Sequence, residues 1–199
     1  MSRLQRQLSC RGVDVIRRAD KPSETDSVVK EDEMQERSEI KEEEFYYQEF
    51  GYMPLPEREE KWQKLLSFVL DKADIVEFII GDERSLPPSL EPFRSDLIKV
   101  FSTHWKYGSK HKRPVTYARF AISDELKDFL VRRRTIGRWG EGYPEDPLFY
   151  RGNELIMWVI GHEDMAFVRL SDDEATEFNK EGFSLEKVKI PPPYPLPER

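Results

Sequence analysis

The sequence predicts an α+β fold, in which an antiparallel sheet of about four strands carries three packed helices. Two observations lead to this class. Along residues 45–190, segments with apolar residues at helical spacing alternate with short β-branched and aromatic segments. Residues 155–160 and 165–170 form two such segments, and the Gly-His-Glu-Asp sequence between them is typical of a hairpin turn. Strands linked in this way favour an antiparallel sheet with helices packed against it.

The first half of the domain contains one predicted helix and two predicted strands. Residues 57–72 predict the helix, because acidic residues occupy the first turn and apolar residues recur along one face. Residues 75–80 are β-branched and aromatic and stop at Gly81, which predicts a strand. Residues 93–105 fit a helix, but a strand that pairs with the next one also fits. Residues 115–122 alternate as a clearer strand.

Two capping patterns predict the remaining helices. Ser123 opens the second helix, because its hydroxyl can accept a hydrogen bond from the free amides of the first turn. Ser171 and Glu174 form a capping box that opens the third helix, which stops near Gly182. The predicted order is therefore helix, strand, an ambiguous segment, strand, helix, strand, strand and helix.

The composition divides the chain into three parts. Residues 1–44 are predicted to form a disordered acidic arm, because a polar segment almost free of aromatic residues cannot offset chain entropy by burial. Residues 31–60 hold twelve acidic and three basic residues. The aromatic cluster at residues 45–52 is interpreted as the point where the arm docks on the domain. The α+β domain spans residues 45–190, and residues 191–199 form a polyproline tail.

Charge and cysteine content restrict the class of protein. The chain has 199 residues with a net charge of −7, and no apolar run approaches the length that crosses a bilayer, so no membrane contact is expected. Cys10 is the only cysteine, which excludes an intramolecular disulfide and a cysteine-based zinc cluster. A lone thiol fits a reducing compartment, so we expect a cytoplasmic protein. We also expect no metal and no cofactor.

The first candidate site combines a loop at residues 138–147 with the turn at residues 161–164. Loop carboxylates could act as a catalytic pair, and the turn histidine could serve as a general base or metal ligand. Consecutive turn residues need not converge, however, and the loop aromatics equally fit a role as buried anchors. The candidate residues are Trp139, Glu141, Tyr143, Glu145, Asp146, His162 and Glu163.

The second candidate site is a basic stretch at residues 96–138, which holds eleven basic and four acidic residues. Aromatic residues are interleaved with the charges, a pattern that binds single-stranded nucleic acid. The negative charge of the whole chain weakens long-range attraction to phosphates, so the acidic arm or an acidic protein is the favoured partner. The candidate residues are Lys110, Lys112, Arg113, Arg132, Arg133 and Arg134.

The third candidate is the tail, where five prolines in residues 191–197 enforce an exposed, extended polyproline conformation. Pro191, Pro192 and Tyr194 match the Pro-Pro-x-Tyr pattern that WW domains bind. The alternative is that the tail only terminates the fold.

Several segments resemble a set of small uncharacterised bacterial proteins, some of which are labelled stage III sporulation protein AH. The resemblance covers about residues 62–170 and implies no known activity. It does imply that five residues belong to one shared structural feature, namely Pro144, Glu145, Asp146, His162 and Glu163. The segments that carry the resemblance are residues 117–120, 123–126, 143–150 and 161–163.

We expect a binding or regulatory protein that acts through protein–protein contact, and an immunity- or antitoxin-like role fits a small acidic chain. A non-enzymatic role is favoured, because the sequence contains no evident nucleophile–base pair or phosphate-binding loop. One alternative is a hydrolase that uses the acidic loop with His162. The other is a single-stranded nucleic-acid binder that uses residues 96–138. The sequence leaves the oligomeric state open.

Overall fold

The computed structural model describes residues 42–81, 86–136 and 144–194. These residues form eight strands and three α-helices. In chain order they are β1 (Glu43–Glu49), α1 (Leu55–Leu70), β2 (Ile75–Ile80), β3 (Leu97–Lys106), β4 (Ser109–Ala121), α2 (Asp124–Val131), β5 (Glu145–Arg151), β6 (Glu154–Ile160), β7 (Met165–Val168), α3 (Asp172–Lys180) and β8 (Glu186–Ile190). Short 3-10 turns at Glu91–Asp96 and Gly161–Glu163 precede β3 and β7.

All eight strands belong to one antiparallel sheet in the order β3-β4-β2-β5-β6-β7-β1-β8. The prediction of about four strands is therefore wrong, although the three helices are present. Residues 45–49 of the aromatic cluster interpreted as a docking point belong to β1, as do Glu43 and Glu44 of the predicted arm. Residues 1–41 of the arm lie outside the described residues. The ambiguous segment is a 3-10 turn followed by β3.

The sequence analysis did not predict β5, because this strand contains Pro147 and a proline is uncommon in a central strand. In the register, Glu77 pairs with Leu148 and Ile79 pairs with Glu145, so Asp146 and Pro147 together oppose one residue of β2. This irregularity is a β-bulge, where a proline costs no ladder hydrogen bond. The rest of the predicted loop, from residue 138 to residue 143, lies outside the described part of the chain.

One face of the sheet carries the three helices, and both predicted capping patterns are confirmed. The amide of Leu126 donates to the Ser123 hydroxyl at 3.3 Å, and Ser171 and Glu174 form the reciprocal capping box of α3. Trp62 of α1 is fully buried between this face and the helices. Among the described residues, no helix combines the length and apolar character needed to cross a bilayer.

The opposite face of the sheet, called the second face below, is also buried. The tail lies against it, and so does the tip of the β3–β4 hairpin, where Tyr107 stacks on Trp158 of β6 with ring centroids 6.4 Å apart. Tyr107 and Gly108 have φ values of 53° and 72°, as a two-residue hairpin turn with two left-handed positions requires. A Cβ on Gly108 would lie 2.7 Å from Pro191 Cγ, so only glycine allows the tail to pack here.

Candidate functional site

Four polar side chains meet beside the second face and are called the Glu77 cluster: Glu77, Arg119, Tyr150 and Tyr194. Glu77 lies in the middle of β2 and is 0% exposed. Arg119 is its direct partner in the β2–β4 register, so strand pairing brings the two charges together. Arg119 Nε donates to Glu77 Oε1 over 2.5 Å, and its guanidinium lies 4.9 Å from the ring centroid of Tyr150.

Two tyrosine hydroxyls surround the other carboxylate oxygen of Glu77. Tyr150 donates to Glu77 Oε2 at 3.0 Å, Tyr194 donates to the same oxygen, and the two hydroxyl oxygens lie 2.7 Å apart. Burial raises the pKa of Tyr150 and Tyr194 above the ordinary tyrosine value, so both remain protonated donors at neutral pH. Burial opposes the charge of Arg119, but the charge and hydrogen bond of Glu77 raise its pKa.

Tyr194 enters this cluster from the end of the chain. Its ring packs against Tyr117 and Phe101, with centroid distances of 5.1 and 5.8 Å. The Gly108 amide donates to the Pro193 carbonyl at 3.0 Å and so fixes the tail to the hairpin turn. The tail therefore fills a groove between the hairpin and the second face, which we call the tail groove.

The prediction of an exposed polyproline segment is wrong for residues 191–194. Tyr194 is 5% exposed, Pro192 is buried, and Pro191 is partly buried. A WW domain needs the tyrosine side chain, so it cannot bind the motif in this conformation. The remaining residues of the tail, 195–199, lie outside the described residues.

A second polar group on the same side of the sheet surrounds Asp146 at the β5 bulge. The Gly161 amide donates to Asp146 Oδ1 at 2.6 Å, and the Tyr107 hydroxyl donates to the other oxygen. Lys106 Nζ lies 3.9 Å from Asp146 Oδ2. Asp146 has a φ of 44°, a left-handed conformation that aspartate tolerates better than most residues. The carboxylate thus ties the hairpin tip and the β6–β7 turn to β5.

We expect Asp146 to make the stability of the fold depend on pH. Burial raises its pKa, although the Gly161 amide and the charges of Lys106 and His162 act in the opposite direction. A raised pKa means that the folded state binds the proton more tightly than the unfolded state does. The stability that Asp146 contributes therefore falls as pH rises from about 4 through the pKa of Asp146 in the folded state. Asp146→Asn keeps an acceptor for Gly161 and removes the titration.

Urea unfolding between about pH 4 and pH 7 measures this effect. The stability of Asp146→Asn relative to the natural chain should increase with pH. Glu145→Gln is the matched control, because its side chain is half exposed at the adjacent position. A stability difference for Asp146→Asn that stays constant across the range would contradict the assignment.

Four residues of the first candidate site are described, namely Glu145, Asp146, His162 and Glu163, and these four form no catalytic arrangement. The His162 side chain is 58% exposed, lies 3.7 Å from Glu163 and has its ring 5.9 Å from that of Tyr107. Glu145 lies 3.4 Å from Lys106 Nζ. Three residues, Trp139, Glu141 and Tyr143, lie outside the described residues. No three His, Cys, Asp or Glu residues converge as metal ligands within the described ranges.

The six residues of the basic candidate fall on two different parts of the fold. Lys110, Lys112 and Arg113 are exposed on the outer half of β4. Arg132, Arg133 and Arg134 follow α2 in the helical layer, where Trp62 and Gln63 of α1 both donate to the Arg133 carbonyl. Counting charges along the sequence grouped these two sets of three residues together, because the count could not show that the hairpin and the helix lie in different parts of the fold.

The described charges separate along these layers. The hairpin strands β3 and β4 hold six basic residues and no acidic residue. The three helices hold ten acidic and five basic residues. Two of the six hairpin cations face acidic residues of other strands: Arg119 is neutralised in the Glu77 cluster, and Lys106 lies beside Glu145 and Asp146. The other four are Lys99, Lys110, Lys112 and Arg113.

A groove of about 320 Å³ between α1 and the start of α3 is also lined by basic side chains. Each of its cations is already paired: Lys72 with Glu174 at 2.6 Å, Arg151 with Glu154 at 2.7 Å, and Arg169 with Glu43. The groove therefore offers little net charge to an incoming anion.

Comparison with known proteins adds no assignment. No protein-family model, no curated protein and no solved structure matches this chain. The resemblance to the sporulation-labelled bacterial proteins therefore stays a prediction. In the structure, the Asp146 carboxylate accepts a hydrogen bond from the Gly161 amide, at the start of the turn that contains His162 and Glu163.

Sequence reasoning missed Glu77, Arg119, Tyr107 and Tyr150. A signal for the first two was present, because each is a single charge inside an otherwise apolar predicted strand. Buried charges in proteins are paired, so two such strands could have been matched to each other. The two tyrosines carried no comparable signal. A strand tyrosine such as Tyr150 faces either side of a sheet equally well, and Tyr107 lies in a hairpin turn whose packing depends on the fold.

Proposed function

We propose that this protein is a non-enzymatic binding protein of the cytoplasm, which holds an acidic segment of a protein partner on the β3–β4 hairpin. The observation that carries the proposal is the hairpin itself, which holds six basic residues and no acidic residue. Arg119 belongs to the Glu77 cluster and Lys106 lies beside Glu145 and Asp146, so the surface for the partner is formed by Lys99, Lys110, Lys112 and Arg113. Opposite charges speed encounter and select the partner. The acidic helices at the same time disfavour binding of such a segment to the helical layer.

The position of β3 suggests how the segment is held. β3 is the last strand at one end of the described sheet, is ten residues long and carries mostly exposed or partly exposed side chains. An extended peptide can add to such an edge through backbone hydrogen bonds, while the side chains select its charge. Lys99 on this strand also deters pairing between copies of the chain.

The aromatic residues of the hairpin favour a protein partner over single-stranded nucleic acid. Base stacking needs aromatic faces that are open to the ligand. The Phe101 ring stacks on Tyr117 at 5.5 Å and also contacts Tyr194, and the Tyr107 ring packs on Trp158. The rings of Phe101, Tyr107 and Tyr117 are used within the fold, so a ligand would meet the charges of the hairpin more readily than these three rings.

Fluorescence anisotropy with a labelled oligoglutamate peptide and a labelled oligothymidine tests the proposal. The hairpin variant Lys112→Glu/Arg113→Glu should bind the peptide about tenfold more weakly than the natural chain, because it reverses two of the contacting charges. The matched control Arg132→Glu/Arg134→Glu changes the net charge equally in the helical layer and should lose little affinity.

Equal losses in the two variants would show that only net charge matters and would contradict the hairpin site. Tighter binding of oligothymidine than of the peptide at physiological salt would favour the nucleic-acid alternative instead.

A further inference from the structure

The tail groove has the construction of a peptide-binding site. Its walls are the aromatic rings of Phe101 and Tyr117, and its floor is the polar Glu77 cluster. At its rim the Gly108 amide binds a proline carbonyl of the tail. Aromatic walls with a few polar groups that fix orientation are typical of binding pockets, and aromatic-lined grooves are a known receptor for polyproline segments.

The groove does not depend on the tail for its framework. β2 pairs with β4 on one side and with β5 on the other, through the registers that position Glu77, Arg119 and Tyr150. When Tyr194 leaves, the Glu77 carboxylate keeps two donors, Arg119 Nε and the Tyr150 hydroxyl. The buried charge therefore remains paired, and the vacated position accepts another hydroxyl.

We infer that the tail groove is a recognition site for a proline-rich segment with a Pro-Pro-Pro-Tyr sequence, occupied here by residues 191–194 and able to take the same segment from a second copy of the chain. The occupant is identified by what the groove contacts. A buried carboxylate selects the phenol hydroxyl, and the close approach of Pro191 to Gly108 selects a flat, stiff proline backbone. The stiffness lowers the entropy lost on binding.

A labelled synthetic peptide of residues 191–199 tests the inference on the full-length chain. In the natural chain the tethered tail competes at an effective concentration in the millimolar range, so the peptide should bind Tyr194→Ala about tenfold more tightly. It should also raise the thermal midpoint of that variant, because it binds the folded state alone. A control peptide with Phe in place of Tyr lacks the hydroxyl and should bind more weakly.

Equal binding to the natural chain and to Tyr194→Ala, or equal binding of the two peptides, would overturn the inference. If Tyr194→Ala does not fold, the same comparison is made with Tyr194→Phe, which keeps the ring contacts and loses only the hydroxyl. The Tyr peptide should then bind Tyr194→Phe more tightly than the natural chain, and no difference between them would overturn the inference. These outcomes do not depend on the charge of the hairpin, so they separate this site from the proposed acidic-partner site.

Discussion

Replacing Glu77 by Ala is expected to lower the free energy of unfolding by about 3–5 kcal/mol, which is the usual cost of removing one partner of a buried ion pair. Arg119 is itself buried, and Glu77 is the carboxylate that its Nε contacts. Without it the guanidinium stays in the interior uncompensated, and the hydroxyls of Tyr150 and Tyr194 lose their common acceptor. Each of these losses leaves a polar group that water cannot reach.

The double variant Glu77→Leu/Arg119→Met is the matched control, since it removes both charges together. It should be more stable than Glu77→Ala, because apolar residues of similar volume can replace a buried pair at little cost. Denaturant unfolding of the natural chain, Glu77→Leu, Arg119→Met and the double variant gives the coupling energy of the pair. Additive losses in that cycle would show that the two charges do not interact in the folded state.

Trp62→Ala is expected to cost about 3–5 kcal/mol of unfolding free energy, as truncation of a buried aromatic residue usually does. Trp62 is fully buried, packs edge-on against Phe50 at 6.1 Å, and donates its indole N–H to the Arg133 carbonyl at 2.8 Å. Alanine leaves a cavity beneath α1 and also removes one of the bonds that hold the segment after α2 to α1.

Leu55→Ala on the same helix is the control, because Leu55 is 64% exposed and loses little buried area. Its free energy of unfolding should stay within about 0.5 kcal/mol of the natural value. Thermal or urea unfolding followed by circular dichroism compares the two variants. A similar small loss for both would mean that Trp62 is not part of the core.

Helices were predicted well because their signals are local. The start of α3 depends on Ser171 and Glu174, which lie three residues apart, and the reciprocal capping bonds form within that one turn. The amphipathic face of α1 is likewise visible in the spacing of Trp62 and its neighbours. The β6–β7 hairpin was also predicted, since its two strands and the turn at Gly161 are contiguous.

Strands were undercounted because their signals depend on partners far away in the chain. β8 alternates Glu, Lys and apolar residues weakly, and it becomes a strand by pairing with β1, more than a hundred residues before it. Pro147 made β5 resemble a loop, and only the bulge opposite β2 explains why a proline is tolerated there.

The sequence by itself determined the helices, the β6–β7 hairpin, the single cysteine and the uneven distribution of charge, since each follows from composition or from residues close together in the chain. Only the tertiary structure decided the number of strands, the division of the basic residues between the hairpin and the helical layer, and the burial of Tyr194. All three depend on residues that are far apart in the chain and meet only in the folded structure. Tyr194 prefers the interior only because Glu77 and Tyr150 provide its hydroxyl with partners there, and residues 117 and 44 positions apart meet only after the sheet has formed.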